Sequence, residues 1–99
     1  MSVTVTVEWK AKPGSGAAMR ETILGVLPDT RAYKGCEWLE LIVNQDDPHV
    51  LVVWERWDAR ASYEDYLKWR VDAGTVAALR SMAVEGPIIR FFDTVKDFP

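Results

Sequence analysis

The sequence predicts an α+β fold of order β-α-β-β-α-β, the ferredoxin-like split βαβ arrangement on a four-stranded antiparallel sheet. Three observations lead there. Valines alternate with polar residues at the N-terminus. Two later segments carry apolar residues at helical spacing. Glycine and proline clusters punctuate the chain between them.

Each element has its own signature. Val3, Val5, Val7 and Trp9 alternate with Thr4, Thr6, Glu8 and Lys10, which makes a strand. Pro13, Gly14 and Gly16 end it, and Ser15 is placed to cap the helix that follows. Met19, Ile23, Val26 and Leu27 form one face of that helix, and Pro28 is expected to stop it. Asp29 to Gly35 reads as a turn region. Cys36 to Asn44 is the second strand, Asn44–Pro48 a hairpin turn, and Val50 to Trp57 the third strand. The apolar run Val50–Trp54 predicts burial on both faces of that strand. A second helix follows, capped by Asp58 or by Ser62 with Asp65. Tyr63, Tyr66, Leu67 and Arg70 lie on one side of it, and Arg60, Glu64 and Lys68 on a solvated side. Gly74 ends this helix, and Thr75 is expected to cap a short continuation through Met82. Gly86-Pro87 is expected to break the chain before a last strand, Ile88 to Val95. The helices cover one sheet face. A second copy of the chain would cover the other.

Composition narrows the function. The 99 residues, read as one domain over 1–99, carry 48% hydrophobic and 27% charged residues, the balance of a globular protein. No stretch approaches the length of a membrane-spanning helix, and the N-terminus lacks the pattern of a signal peptide. The net charge of −3, with scattered basic residues, argues against nucleic acid as a partner. The single cysteine, Cys36, excludes an internal disulfide and a multi-cysteine metal site. A cytoplasmic protein is the simplest fit. Five tryptophans are many for so small a core. Either some line a pocket, or the core continues across a subunit interface.

Few residues carry chemistry. Gly14-Ser15-Gly16 lacks the third glycine of a dinucleotide fingerprint and reads as a strand-to-helix turn. His49, the only histidine, has no second histidine for a metal pair and reads as a loop residue. Cys36 reads as a buried structural thiol. Glu55 is more informative, because alternation places it with Leu51, Val53 and Trp57 on a largely apolar face. It is either a paired structural carboxylate or a base with a raised pKa. Tyr63, Tyr66 and Arg70 can face the same surface, and they form either an aromatic core or the wall of an aromatic ligand pocket.

Lys34-Gly35-Cys36, Trp54-Glu55-Arg56-Trp57-Asp58, the helix Ser62 to Arg70 and the final Gly86 to Phe92 resemble the antibiotic biosynthesis monooxygenase family of dimeric α+β barrel proteins. The resemblance implies a homodimer whose C-terminal strand reaches toward the partner. It also implies oxygenation of an aromatic quinol or polyketide-like hydroxyarene by O2, with no flavin, metal or haem. Trp57 and Tyr63 stand where relatives active in quinone formation carry Trp and Tyr. Val53 replaces an Asn of those relatives, and Tyr66 stands near a helix histidine of many others. The haem-degrading branch needs an axial histidine in this helix, so haem is not expected. The candidate catalytic residues are Trp57 (stacking and N–H donation), Tyr63, Tyr66 and Glu55. Arg70, Trp38 and Val53 are the candidate substrate contacts, with Arg70 holding an anionic substrate. The alternative is a non-catalytic dimeric module for a small aromatic ligand, or a stress-related protein of the same fold.

Overall fold

The computed structural model describes residues 2–99. Its elements are β1 (Val3–Ala11), α1 (Gly16–Ala32), β2 (Cys36–Val43), β3 (Val50–Trp57), α2 (Arg60–Asp72), α3 (Thr75–Ser81) and β4 (Ala83–Phe92). The four strands form one antiparallel sheet in the order β2-β3-β1-β4. This is the predicted α+β arrangement, with the second helix in two pieces.

Register explains which side chains meet. Val3 pairs with Trp57, Val5 with Glu55, Val7 with Val53 and Trp9 with Leu51. Residues directly opposite share a face, so the alternating set of β1 and that of β3 point the same way. The helices pack on that side through Met19 and Ile23 of α1, Tyr63 and Tyr66 of α2, and Leu79 of α3, all buried. The sheet's other side carries Trp38, Ile42, Trp54 and Phe92, all exposed. The apolar run of β3 is therefore not buried on both faces within one chain.

Several boundaries differ from expectation, for identifiable reasons. Pro28 lies inside α1 rather than ending it. Proline removes only its own N–H, and Pro28 sits on the exposed side, where the Leu24 carbonyl can turn to water. The turn beyond it is anchored by Thr30, which is buried and donates from Oγ1 to the Val26 carbonyl at 3.1 Å. Gly86-Pro87 lies within β4, which starts at Ala83 and ends at Phe92, short of Val95. The β1–β4 register shifts between Glu8 and Lys10, opposite this dipeptide. Gly86 has φ 118° there, and a Cβ would stand 2.7 Å from the Glu8 carbonyl oxygen. The bulge thus admits glycine and a residue without an N–H while pairing continues on either side.

The helices are capped differently from expectation. Ser15 occupies the N-cap of α1 but its hydroxyl caps nothing. Ala59 is the N-cap of α2 and Gly74 that of α3, so Asp58, Ser62 and Thr75 do not cap. Asp58 and Ser62 instead crowd Gly35. A Cβ there would meet Ser62 Cβ at 2.7 Å and Asp58 Oδ1 at 2.8 Å, and the Asp58 N–H donates to the Gly35 carbonyl at 2.8 Å. Gly35, at φ 98°, lets the entry of β2 close against the β3–α2 corner.

Candidate functional site

The side chains of β1 and β3 that face the helices border a small, half-open cavity. Its wall is Val7, Trp9, Val53 and Glu55 from the sheet, Ile23 and Thr30 from α1, and Tyr63, Tyr66 and Arg70 from α2. Thr75, Val76 and Leu79 of α3 and Ile89 of β4 add to it. The cavity measures about 60 Å³. That holds a few water molecules, whereas sites for drug-sized ligands run from about 300 to 1,000 Å³.

Glu55 is the one acidic group on this wall and is 3% exposed. Its Oε1 accepts a hydrogen bond from Trp57 Nε1 at 2.7 Å. The two residues are two apart on one strand, so alternation alone brings them to the same face. Burial raises the Glu55 carboxyl to about 7, against the smaller opposing pull of the Trp57 N–H and the Arg70 charge. Trp57 is fully buried and does not line the cavity. The expected donation of its N–H to substrate is replaced by donation to Glu55.

Tyr66 and Arg70 form a separate, satisfied network. Arg70 donates from Nε to the Tyr66 hydroxyl at 2.8 Å, and from Nη2 to the Val26 carbonyl at 2.7 Å and Thr30 Oγ1 at 3.2 Å. The Tyr66 and Thr30 hydroxyls lie 2.7 Å apart. Thr30 Oγ1 donates to Val26, so Tyr66 is the donor to Thr30 and the acceptor from Arg70. Three side chains thereby tie α2 to the last turns of α1. Arg70 also lies 4.4 Å over the Trp69 ring, and Trp69 stacks on Tyr33 at 5.5 Å. The guanidinium expected to hold an anionic substrate is thus largely engaged by protein acceptors.

Tyr63 differs. It is 2% exposed and packs edge-on to Trp57 at 5.6 Å and to Phe91 at 5.6 Å. Its hydroxyl has no hydrogen-bond partner among the described residues, nor has Glu55 Oε2. Yet among those residues no fully enclosed side-chain oxygen or nitrogen lacks a partner. Neither atom is therefore fully enclosed, and both residues line the cavity. Burial, then the Glu55 charge, raises the Tyr63 pKa, so the phenol keeps its proton and remains a donor.

The expected site residues thus converge with one exception. Glu55, Trp57, Tyr63, Tyr66, Arg70 and Val53 cluster on the helix-covered face. Trp38 does not. It is 44% exposed and pairs with Arg56 on the opposite face. A register shift between Cys36 and Trp38 is the cause: Cys36 stays opposite Trp57, and Trp38 is turned away. Thr30 was missed as a site residue because Pro28 was expected to end the helix. Its signal was there, at i+4 from Val26 and i+7 from Ile23 on the apolar face.

The remaining candidates stay outside. His49 Nδ1 lies 3.4 Å from Asp47 Oδ1, in a loop near Gly16. Cys36 is buried, and its thiol is pushed up by burial and the Glu55 charge, so it is held as a neutral thiol. No group of three potential metal ligands occurs among the described residues, and no helix among them is long and apolar enough to cross a membrane.

Comparison with known structures places this architecture. Rv0793 from Mycobacterium tuberculosis superposes with a TM-score of 0.85 at 18% identity, covering 98% of each chain. A structure described as an antibiotic biosynthesis monooxygenase gives 0.84 at 20% identity, over 95% of this chain and 99% of that one. A conserved protein from Methanosarcina mazei Go1 gives 0.83 at 14% identity, over 93% and 91%. At these identities the likeness shows the fold. No curated protein matches the sequence. The family model for antibiotic biosynthesis monooxygenase matches residues 2–70, from β1 through Arg70 and so across Glu55, Trp57, Tyr63 and Tyr66. With that match over most of its length, the chain belongs to the antibiotic biosynthesis monooxygenase family.

Proposed function

We propose that the protein is a cofactor-independent monooxygenase acting on an aromatic quinol or related hydroxyarene, with residues 1–99 working as one domain. The observation that carries the reading is the buried Glu55 carboxylate, poised near neutral pH beside an unpaired phenol in an apolar cavity. An electron-rich arene bearing a hydroxyl becomes a one-electron donor to O2 once deprotonated. The protein has to take that proton, exclude water and hold the ring. The balance needs no external reductant. The hydroxyarene and O2 give a quinone and water: one oxygen atom joins the ring carbon that loses its hydrogen, and the other leaves as water. All four electrons come from the substrate. Val53 offers no hydrogen bond, and in this reading Glu55 and Tyr63, which both line the cavity, receive the substrate oxygen.

A ring is larger than the present cavity. In this reading the seven-residue α3, which supplies Thr75, Val76 and Leu79 to the wall, moves away from the sheet to admit it.

The protein works as a homodimer in this reading. Trp38, Ile42, Trp54 and Phe92 give the outer sheet face an apolar character that a soluble monomer rarely leaves open, and a second copy of the same face covers it.

Oxygen uptake tests the reaction. Flavin-free, chelator-treated protein should consume one O2 per naphthol or dihydroquinone. Uptake that needs added flavin, or that chelator abolishes, overturns the mechanism. An inert protein across a panel of quinols that still binds them is a non-catalytic aromatic-binding module.

A further inference from the structure

Resting on the reading of the cavity as a hydroxyarene site, we propose that the substrate's hydroxyl docks between Glu55 Oε2 and the Tyr63 hydroxyl, and that Trp57 acts as a positioning residue through Glu55.

Tyr66, Thr30 and most of Arg70 are already engaged with one another and with Val26. Glu55 has one oxygen held by Trp57 and one unpaired. The Tyr63 hydroxyl makes no hydrogen bond to a described residue and is not fully enclosed. Glu55 and Tyr63 line the same largely apolar cavity, and no hydrogen bond joins them. One is an acceptor and the other a donor. A single hydroxyl satisfies both, donating to Glu55 and accepting from Tyr63. An aryl amine or a ligand with no hydroxyl matches the pair less well, and a carboxylate would set two anions together in a largely apolar site. The ligand class is therefore an uncharged arene with one hydroxyl directed at β3. Proton transfer breaks its O–H bond and forms O–H on Glu55 Oε2. Tyr63 keeps its own proton and donates a hydrogen bond to the resulting arenolate.

Trp57 touches no substrate in this arrangement. Its N–H holds Oε1, which turns Oε2 toward the cavity and favours the ionised carboxylate. The other titratable groups near Glu55 are Cys36 from β2 and Tyr63, Tyr66 and Arg70 from α2. Among the described residues, β1 and α1 bring no charged side chain against it. Cys36 and both tyrosines have raised pKa values and stay protonated. Glu55 is then the group that changes state around neutrality.

Equilibrium binding of 2-naphthol between pH 5.5 and 8.5 tests this without relying on turnover, since the naphthol stays neutral over most of that range. Affinity should rise about tenfold as Glu55 ionises, the worth of one hydrogen bond becoming charge-assisted. Naphthalene, with no hydroxyl, should show no such rise. Glu55→Gln should abolish the step, and Tyr63→Phe should lower affinity on both sides of it. Trp57→Phe should move the midpoint up by about one pH unit, which lost packing alone would not do. Should Trp57→Phe fail to fold, Glu55→Gln alone decides. Naphthol binding with a flat pH profile overturns this docking while leaving the oxygenase reading standing. A clear pH step without O2 uptake does the reverse. Absence of naphthol binding at every pH overturns both.

Discussion

The two faces of the sheet come from the same four strands and differ by one residue of register. On the helix-covered face, Trp57 is fully buried and its N–H is satisfied by a carboxylate on the same strand. On the outer face, Trp54 is 41% exposed and lies opposite Thr6 and Glu40. The five tryptophans divide accordingly: Trp9 and Trp57 inside, Trp38 and Trp54 outside, and Trp69 stacked on Tyr33 at the surface of α2. The choice between pocket and interface is therefore no single choice. One face holds a small, largely apolar cavity with a carboxylate, and the other holds apolar surface that a second copy can cover.

The largest contrast should come from the tryptophans. Trp57→Ala should cost about 3–5 kcal/mol in denaturant unfolding, as expected for a large aromatic cut from a packed core. Trp54→Ala should cost under about 1 kcal/mol in the dissociated chain, but abolish the two-chain mass in sedimentation. Equal losses of chain stability would erase the distinction between the faces.

Glu55 sharpens the comparison through pH. Its carboxyl is raised from 4.5 in the unfolded chain to about 7 in the fold. Between those values the folded chain holds a proton that the unfolded chain has released, so stability falls as pH rises. The contribution is fully present below 4.5 and lost once pH passes 7, a change on the order of 3 kcal/mol. Urea midpoints from pH 4.5 to 8 should decline accordingly in the wild type, and Glu55→Gln should remove that decline. An unchanged slope in the variant would mean that Glu55 is not the buried charge.

The smallest contrast compares two arginines. Arg70→Met should cost about 2 kcal/mol, because it leaves the Tyr66 and Val26 oxygens without a buried charged donor. Arg90, 3.8 Å from Glu8 on the outer face, is half exposed. Its replacement by Met should change chain stability by about 0.5 kcal/mol or less. Thermal melts of both variants measure the difference.

What the chain alone determined is what strict periodicity encodes. A period of two in β1 and β3 places Val5, Val53, Glu55 and Trp57 together, and a period near 3.6 in α2 turns Tyr63, Tyr66 and Arg70 to meet them. These choices are local, and no neighbour reversed them. Tertiary structure decided wherever a second element altered the local rule. A bulge against β3 turned Trp38 away from Cys36. The Thr30–Tyr66–Arg70 network carried α1 past Pro28, and pairing with β1 drew Gly86-Pro87 into β4. Donor accounting, too, belongs to the fold. Spacing brings Trp57, Tyr63, Tyr66 and Arg70 to one face, but only three-dimensional distances decide that Tyr63 keeps an unpaired hydroxyl while the others are engaged, since each hydrogen bond depends on partners from different elements.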